Sequence, residues 1–160
     1  MQSLINNTLY LQFGAAVEML SNAIQACPTN EWDTQEQFWY KAYHTLFYTD
    51  YYLSEAPDDF MPPHPFSLSE MDPSGKMPER VYTQNELLFY ADFCKQKAKH
   101  LITGLNENTM QMRFVNANRN YSRLEIILYN MRHIQHHTGQ LNMQLRQANI
   151  DAPKWVSQAL

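Results

Sequence analysis

Long apolar runs are missing from this sequence: no stretch approaches the ~18 consecutive apolar residues that a membrane-spanning helix needs. Basic charge is also in short supply, with 12 Lys and Arg against 16 Asp and Glu, a formal charge of −4 and a pI near 5.8. That balance excludes a nucleic-acid surface, which needs clustered cations to displace counterions from phosphates. Cysteine is limited to Cys27 and Cys94, far apart and outside any C-x-x-C pattern. They read as buried, reduced thiols, and a disulfide has no support. The first residues, Met1-Gln-Ser-Leu-Ile-Asn-Asn, have no positive flank, apolar run or small-residue cleavage site. No signal peptide is expected, and the expected location is cytoplasmic. Internal repeats and low-complexity tracts are absent too.

What is present is a core. Hydrophobic residues make up 44% of 160 residues, enough for one domain over 1–160 and too little for two. Four segments carry helical spacing. The first, near 3–27, repeats Ile5, Leu9, Phe13, Ala16, Leu20 and Ile24 and stops before Pro28. The second is predicted from Thr34, where Thr34-x-x-Gln37 has the form of a capping box, to about Ser54. It is crowded with Phe38, Trp39, Tyr40, Tyr43, Phe47, Tyr48, Tyr51 and Tyr52, so several of its faces should be buried. Thr83-x-x-Glu86 opens a third, with a stripe of Leu87, Ala91, Cys94, Ala98, Leu101 and Leu105, closing near Gly104. Ser122-x-x-Glu125 opens a fourth, which runs to about Ala148 on Ile127, Met131, Ile134, Thr138, Leu141 and Leu145. Between the second and third lie Pro57, Pro62, Pro63, Pro65, Pro73 and Pro78 with Gly75, which forbid a long helix. The expected fold is all-α: a four-helix bundle with a long Pro-rich crossover between helices two and three, packed by Phe60 and Phe66. Trp155 in the tail is expected to pack back on the bundle.

The histidines separate by geometry. At about 100° per residue, His133 and His137 lie about 40° apart on one helix face. With Asn130 and Gln140 they form a polar seam beside the apolar stripe, whereas His136 points to the far side. His64 and His100 read as surface residues. His44 sits amid Tyr40, Phe47 and Tyr48, where an unpartnered imidazole nitrogen costs about 1–3 kcal/mol. Two imidazoles from a facing helix sharing a cation with it would supply a partner. Neutral imidazole suits Zn, Ni, Cu and Fe, and three ligands leave one position open. A bare H-x-x-x-H also arises by chance, and one histidine in an aromatic helix is commonly a hydrogen-bonded core residue. Two familiar metal sites do not fit. Ile134 stands where a zincin has Glu, and Asn130 stands where a di-iron Glu-x-x-His pair would begin.

The run Met131-Arg-His-Ile-Gln-His-His-Thr-Gly-Gln-Leu141 resembles the closing H-x-x-x-H-x-G-Q signature of the DinB-like (damage-inducible) family. Ala42-Tyr-His44-Thr-Leu-Phe-Tyr48 resembles its second-helix histidine segment. Pro62-Pro-His-Pro-Phe66, Glu79-Arg-Val-Tyr-Thr-Gln-Asn-Glu-Leu-Leu88 and Pro153-Lys-Trp155 are similar to a common bacterial branch, so the likeness spans nearly the whole chain. The resemblance implies a four-helix bundle with an unusual connection order, often dimeric, and one divalent metal on His44, His133 and His137. It also implies a low-molecular-weight thiol or another small molecule as substrate, because relatives with assigned activity include thiol-dependent transferases and isomerases. The commonest family variant has Arg after the last histidine; Thr138 stands here, which weakens transfer of any specific substrate.

Three functions compete. The first is a metal-dependent enzyme, a thiol S-transferase or a hydrolase, in which a metal, zinc first and nickel second, lowers the pKa of a bound thiol or water. Tyr48 is its candidate pocket proton donor or hydrogen-bond partner, and Gln140 its candidate for orienting a ligand histidine or binding substrate. No carboxylate stands out on the ligand faces, since Asp50 points about 120° away from His44, so the general base is unassigned. The second is a non-catalytic bundle stapled by metal and acting as a stress-related binding module. Structural zinc usually has four ligands and only three are found, which favours an open site. The third leaves the triad empty and assigns the function to a homodimer surface.

Overall fold

A computed structural model describes residues 1–160, and they fold into a mostly helical protein. Four long helices dominate: α1 (Gln2–Ala26), α3 (Phe38–Tyr52), α4 (Gln84–Thr103) and α6 (Arg123–Gln147). Two short ones, α2 (Thr29–Trp32) and α5 (Glu107–Gln111), sit in connections, and an antiparallel hairpin, β1 (Arg113–Asn116) with β2 (Arg119–Ser122), precedes α6. The hairpin is a small addition to the expected helical fold. Its register pairs Phe114 with Tyr121 and Val115 with Asn120, and Phe114 is fully buried on the core side. No helix is long and apolar enough to cross a membrane.

Helix α1 lies against α4 and α6, and α3 lies against α6 and α4, while α1 and α3 barely touch. The four apolar stripes therefore meet in one core. Phe13, Leu20, Ile24, Leu46, Phe47, Leu87, Ile102, Ile127, Ile134 and Leu141 are all sealed from solvent. Helix α3 buries Phe38, Trp39, Tyr43, Phe47, Tyr51 and Tyr52, as its all-round aromatic content requires. At the start of α1 the stripe departs from expectation. Ile5 is exposed and Asn6 is buried, donating to the Leu105 carbonyl at 2.8 Å and so holding the end of α4.

Capping chemistry sets the starts of α4, α5 and α6. Thr83 and Glu86 form the full reciprocal box at α4, reinforced by Arg80 on the Glu86 carboxylate at 2.6 Å. Ser122 accepts from the Glu125 amide at 3.1 Å and starts α6. The box expected at Thr34 does not form. The chain makes one turn of helix at Thr29–Trp32 and a tight turn closed by the Gln37 amide on the Thr34 carbonyl at 2.9 Å. Gln37 then adopts φ 48°, and α3 begins at Phe38 without a side-chain cap. Burial of Phe38 and Trp39 decides that start, because two large rings gain more than one cap.

The Pro-rich crossover, Leu53 to Tyr82, is ordered by its aromatics. Phe66 stacks on Tyr90 at 4.2 Å between ring centres and on Tyr43 at 5.9 Å, and Phe60 meets Phe47 and Tyr51 edge-on. Tyr43 adds a hydrogen bond from its hydroxyl to the Ser67 carbonyl at 3.0 Å. The tail corrects another expectation. Trp155 is 71% exposed, and the contact is made instead by Ala159, whose amide donates to the Leu11 carbonyl at 2.9 Å. Gly14 permits this approach, since a Cβ there would stand 2.6 Å from the Ala159 side chain.

Candidate metal centre

Three elements bring three imidazoles and one carboxylate together. His44 lies in the middle of α3 and faces α6, where His133 and His137 project one turn apart. Ring centres are 4.7 Å apart for His133 and His137, 5.0 Å for His44 and His137, and 5.9 Å for His44 and His133. The fourth group arrives from the crossover. Glu70 Oε2 is 2.6 Å from His44 Nδ1, and the Glu70 side chain is 3% exposed. Tyr48 helps to place it, because its hydroxyl donates to the Glu70 backbone carbonyl at 3.1 Å.

Each ring has one nitrogen engaged by an oxygen. Glu70 takes Nδ1 of His44, the Gln140 side-chain oxygen takes Nδ1 of His137 at 2.7 Å, and the Thr45 carbonyl faces Nε2 of His133 at 3.4 Å. Carbonyl and carboxylate oxygens only accept, so the engaged nitrogen must carry the hydrogen. A neutral ring then keeps its lone pair on the other nitrogen: Nε2 of His44, Nδ1 of His133 and Nε2 of His137. Neutrality is favoured at two of them. Burial first, then the neighbouring imidazoles, pushes His133 down to about 3. Burial also lowers His137, with Gln140 opposing.

Three imidazoles are a donor set of the kind that divalent ions take. Three imidazoles at Zn–N near 2.0–2.1 Å in a tetrahedral set would have ring centres roughly 5 Å apart, and the observed separations bracket that value. A carboxylate or carbonyl behind each ring is the outer arrangement that fixes tautomers in metal sites. The donor atoms are not converged, however: no group of three or more His, Cys, Asp or Glu side chains stands ready to hold an ion. The 3.4 Å approach to Thr45 is too long for a strong hydrogen bond, so His133 is the ring held least firmly.

No carboxylate lies on the ligand faces of α3 or α6; Glu70 reaches His44 from the crossover. Its Oε1 is buried and has no hydrogen-bond partner, an arrangement costly enough to need a reason. Asp50 behaves as its helical angle requires. It is buried on another face of α3, against Lys97 Nζ at 2.5 Å and the Tyr90 hydroxyl at 2.9 Å. Gln140 holds His137, as one of its two expected roles requires. Tyr48 has its hydroxyl committed to the crossover, so it acts here as a brace. His64 and His100 are exposed and outside the cluster. His136 is exposed too, but its ring meets His137 edge-on at 5.0 Å, so it borders the cluster instead of pointing away from it. Thr138 is buried in the core stripe of α6.

Beside the cluster opens a cleft of about 730 Å³. His44 and His133 form one wall, Tyr48, Tyr51, Tyr52 and Tyr129 the aromatic lining, and Glu70 to Pro73 one rim. The hairpin turn, Asn116 to Arg119, makes the opposite rim. The sequence signal for that rim was Asn116-Ala-Asn118, a turn-forming run between Phe114-Val115 and Tyr121. A search of protein families and of curated proteins found no match to this chain.

Proposed function

We propose that this chain is a metal-dependent enzyme of the DinB-like kind, in which α1, α3, α4 and α6 act as a four-helix bundle. In this reading His44, His133 and His137 hold one divalent ion, zinc before nickel, with a position left open to the cleft. The observation that carries it is the oxygen behind each of three clustered imidazoles, which turns the other nitrogen of a neutral ring toward coordination. A divalent ion there would supply Lewis acidity, lowering the pKa of a thiol or water at neutral pH.

The chain's own groups divide the remaining work. Glu70 fixes the His44 tautomer through Oε2 and is the carboxylate in contact with the histidines, which makes it the candidate to take a proton from an incoming thiol or water. Gln140 fixes His137. The tyrosine lining excludes water from one side of the cleft and offers flat apolar surface to a substrate. The reaction class is transfer to or from a small thiol, with hydrolysis as its counterpart when water enters instead.

Elemental analysis of protein purified without an affinity tag tests the metal, and about one equivalent per chain is expected. Cobalt-substituted protein titrated with a small thiol tests the open position. A thiolate charge-transfer band is expected, and an unchanged spectrum with every thiol would leave only a metal-stapled bundle.

A further inference from the structure

Arg119 enters the cleft from β2 and is its only Lys or Arg. Its guanidinium lies over Tyr129 at 4.9 Å and over Tyr52 at 5.4 Å from the ring centres. One nitrogen donates to the Tyr129 hydroxyl at 2.8 Å, and that is the side chain's only protein hydrogen bond. None of the protein's ion pairs includes it. Neither of the cleft's two carboxylates pairs with it: Glu70 Oε2 meets His44, and Asp72 Oδ1 accepts from the Ser74 amide and hydroxyl at 2.9 and 2.7 Å. Tyr52 joins this cation to the histidines, because its ring also meets His133 edge-on at 5.7 Å.

A solvated surface arginine wanders and loses much freedom when it binds. This one rests in the corner of two rings that meet edge-on at 5.2 Å and is tied to one of them by a hydrogen bond, so the planar fork is held beforehand and little further ordering remains. Four guanidinium N–H groups stay without a protein acceptor. The partner that matches a fixed fork is a planar carboxylate taken by two parallel bonds.

We infer that Arg119 is a substrate-carboxylate subsite, so that the small molecule handled at the histidines carries a carboxylate reaching across Tyr52 to the hairpin. This inference rests on the metal-centre reading for the reacting end of the substrate; the carboxylate contact itself needs no metal. It names the substrate class as anionic thiols or acids and excludes neutral apolar substrates.

Two arms separate its failure from that of the metal centre. In the first, cobalt-loaded full-length protein is titrated with mercaptobutyrate and with the isosteric neutral mercaptobutyramide, following the thiolate charge-transfer band. A preference for the acid of about tenfold is expected from one charge-assisted pair. Arg119→Gln should abolish that preference and Arg119→Lys should retain part of it, with thermal melts showing that both variants fold. Equal affinity of the two thiols for the unmodified protein overturns the subsite while leaving the metal reading intact. The second arm uses metal-free full-length protein, titrating glutarate and following the Arg119 Nε–Hε resonance by ¹H–¹⁵N NMR. A saturable shift, matched by glutaramide only weakly, supports the subsite even if no metal is ever found. No shift with glutarate overturns it.

Discussion

Glu70 Oε2 stands 2.6 Å from Nδ1 of His44, although 26 residues and a Pro-rich crossover separate the two in sequence. The contact fixes which imidazole nitrogen carries the hydrogen, and the second carboxylate oxygen is buried without a partner. Removing it should therefore weaken metal binding without removing a ligand. Glu70→Ala is expected to cost roughly 10- to 100-fold in zinc affinity. Competition against a chromophoric chelator measures this, with circular dichroism as the control for folding. Wild-type affinity in the variant would show that His44 needs no partner behind it.

The histidines predict a sharper contrast among neighbours. His133→Ala and His137→Ala should each abolish stoichiometric metal in the purified protein. His136→Ala should leave it unchanged, because that ring is exposed and meets only His137 among the histidines, edge-on at 5.0 Å, without reaching His44 or His133. The readout is the metal-to-protein ratio after dialysis. Equal loss from all three variants would mean a diffuse histidine patch with no defined centre.

Much of this arrangement was legible in the sequence, and the parts that were not have one cause. Local chemistry was readable: the Thr83 and Glu86 box, the Ser122 cap, and the i to i+4 facing of His133 and His137 all depend on near neighbours. Thr34 shows the limit even there, since a box-like spelling was overruled by the burial of Phe38 and Trp39 a few residues later. Glu70 was invisible because nothing within its own segment points at His44. It arrives there through Phe66, seated between Tyr43 and Tyr90, and through Tyr48 on its carbonyl. Trp155 misled for the opposite reason. A large apolar ring suggested an anchor, but the tail is tied by a backbone bond at Ala159 and by the space left at Gly14.

Acid should weaken the fold partly through Glu86. Its hydrogen bonds to Arg80 foremost, and to Thr83, draw its carboxyl down to about 2 from 4.5. A folded-state value below the unfolded one means stability that is fully present above pH 4.5 and is lost as the pH falls toward 2. Glu86→Gln should flatten that part of the stability-against-pH curve and lower stability at neutral pH. Thr83→Ala, which removes the cap itself, is expected to cost about 1 kcal/mol. Urea unfolding at a series of pH values measures both. An unchanged acid limb in Glu86→Gln would assign the acid sensitivity to other carboxylates.

Phe66→Ala joins the core to the site. The ring is buried in a stack with Tyr90 and Tyr43, and its loss should cost roughly 3–5 kcal/mol of stability by cavity formation. The same cavity frees the crossover that delivers Glu70 to His44. Metal affinity should therefore fall toward that of Glu70→Ala, although Phe66 touches no histidine. Combining the two substitutions should lower zinc affinity no further than Glu70→Ala alone, because both remove the same contact. Additive losses in the double variant would mean that the crossover supports the histidines by a route independent of Glu70.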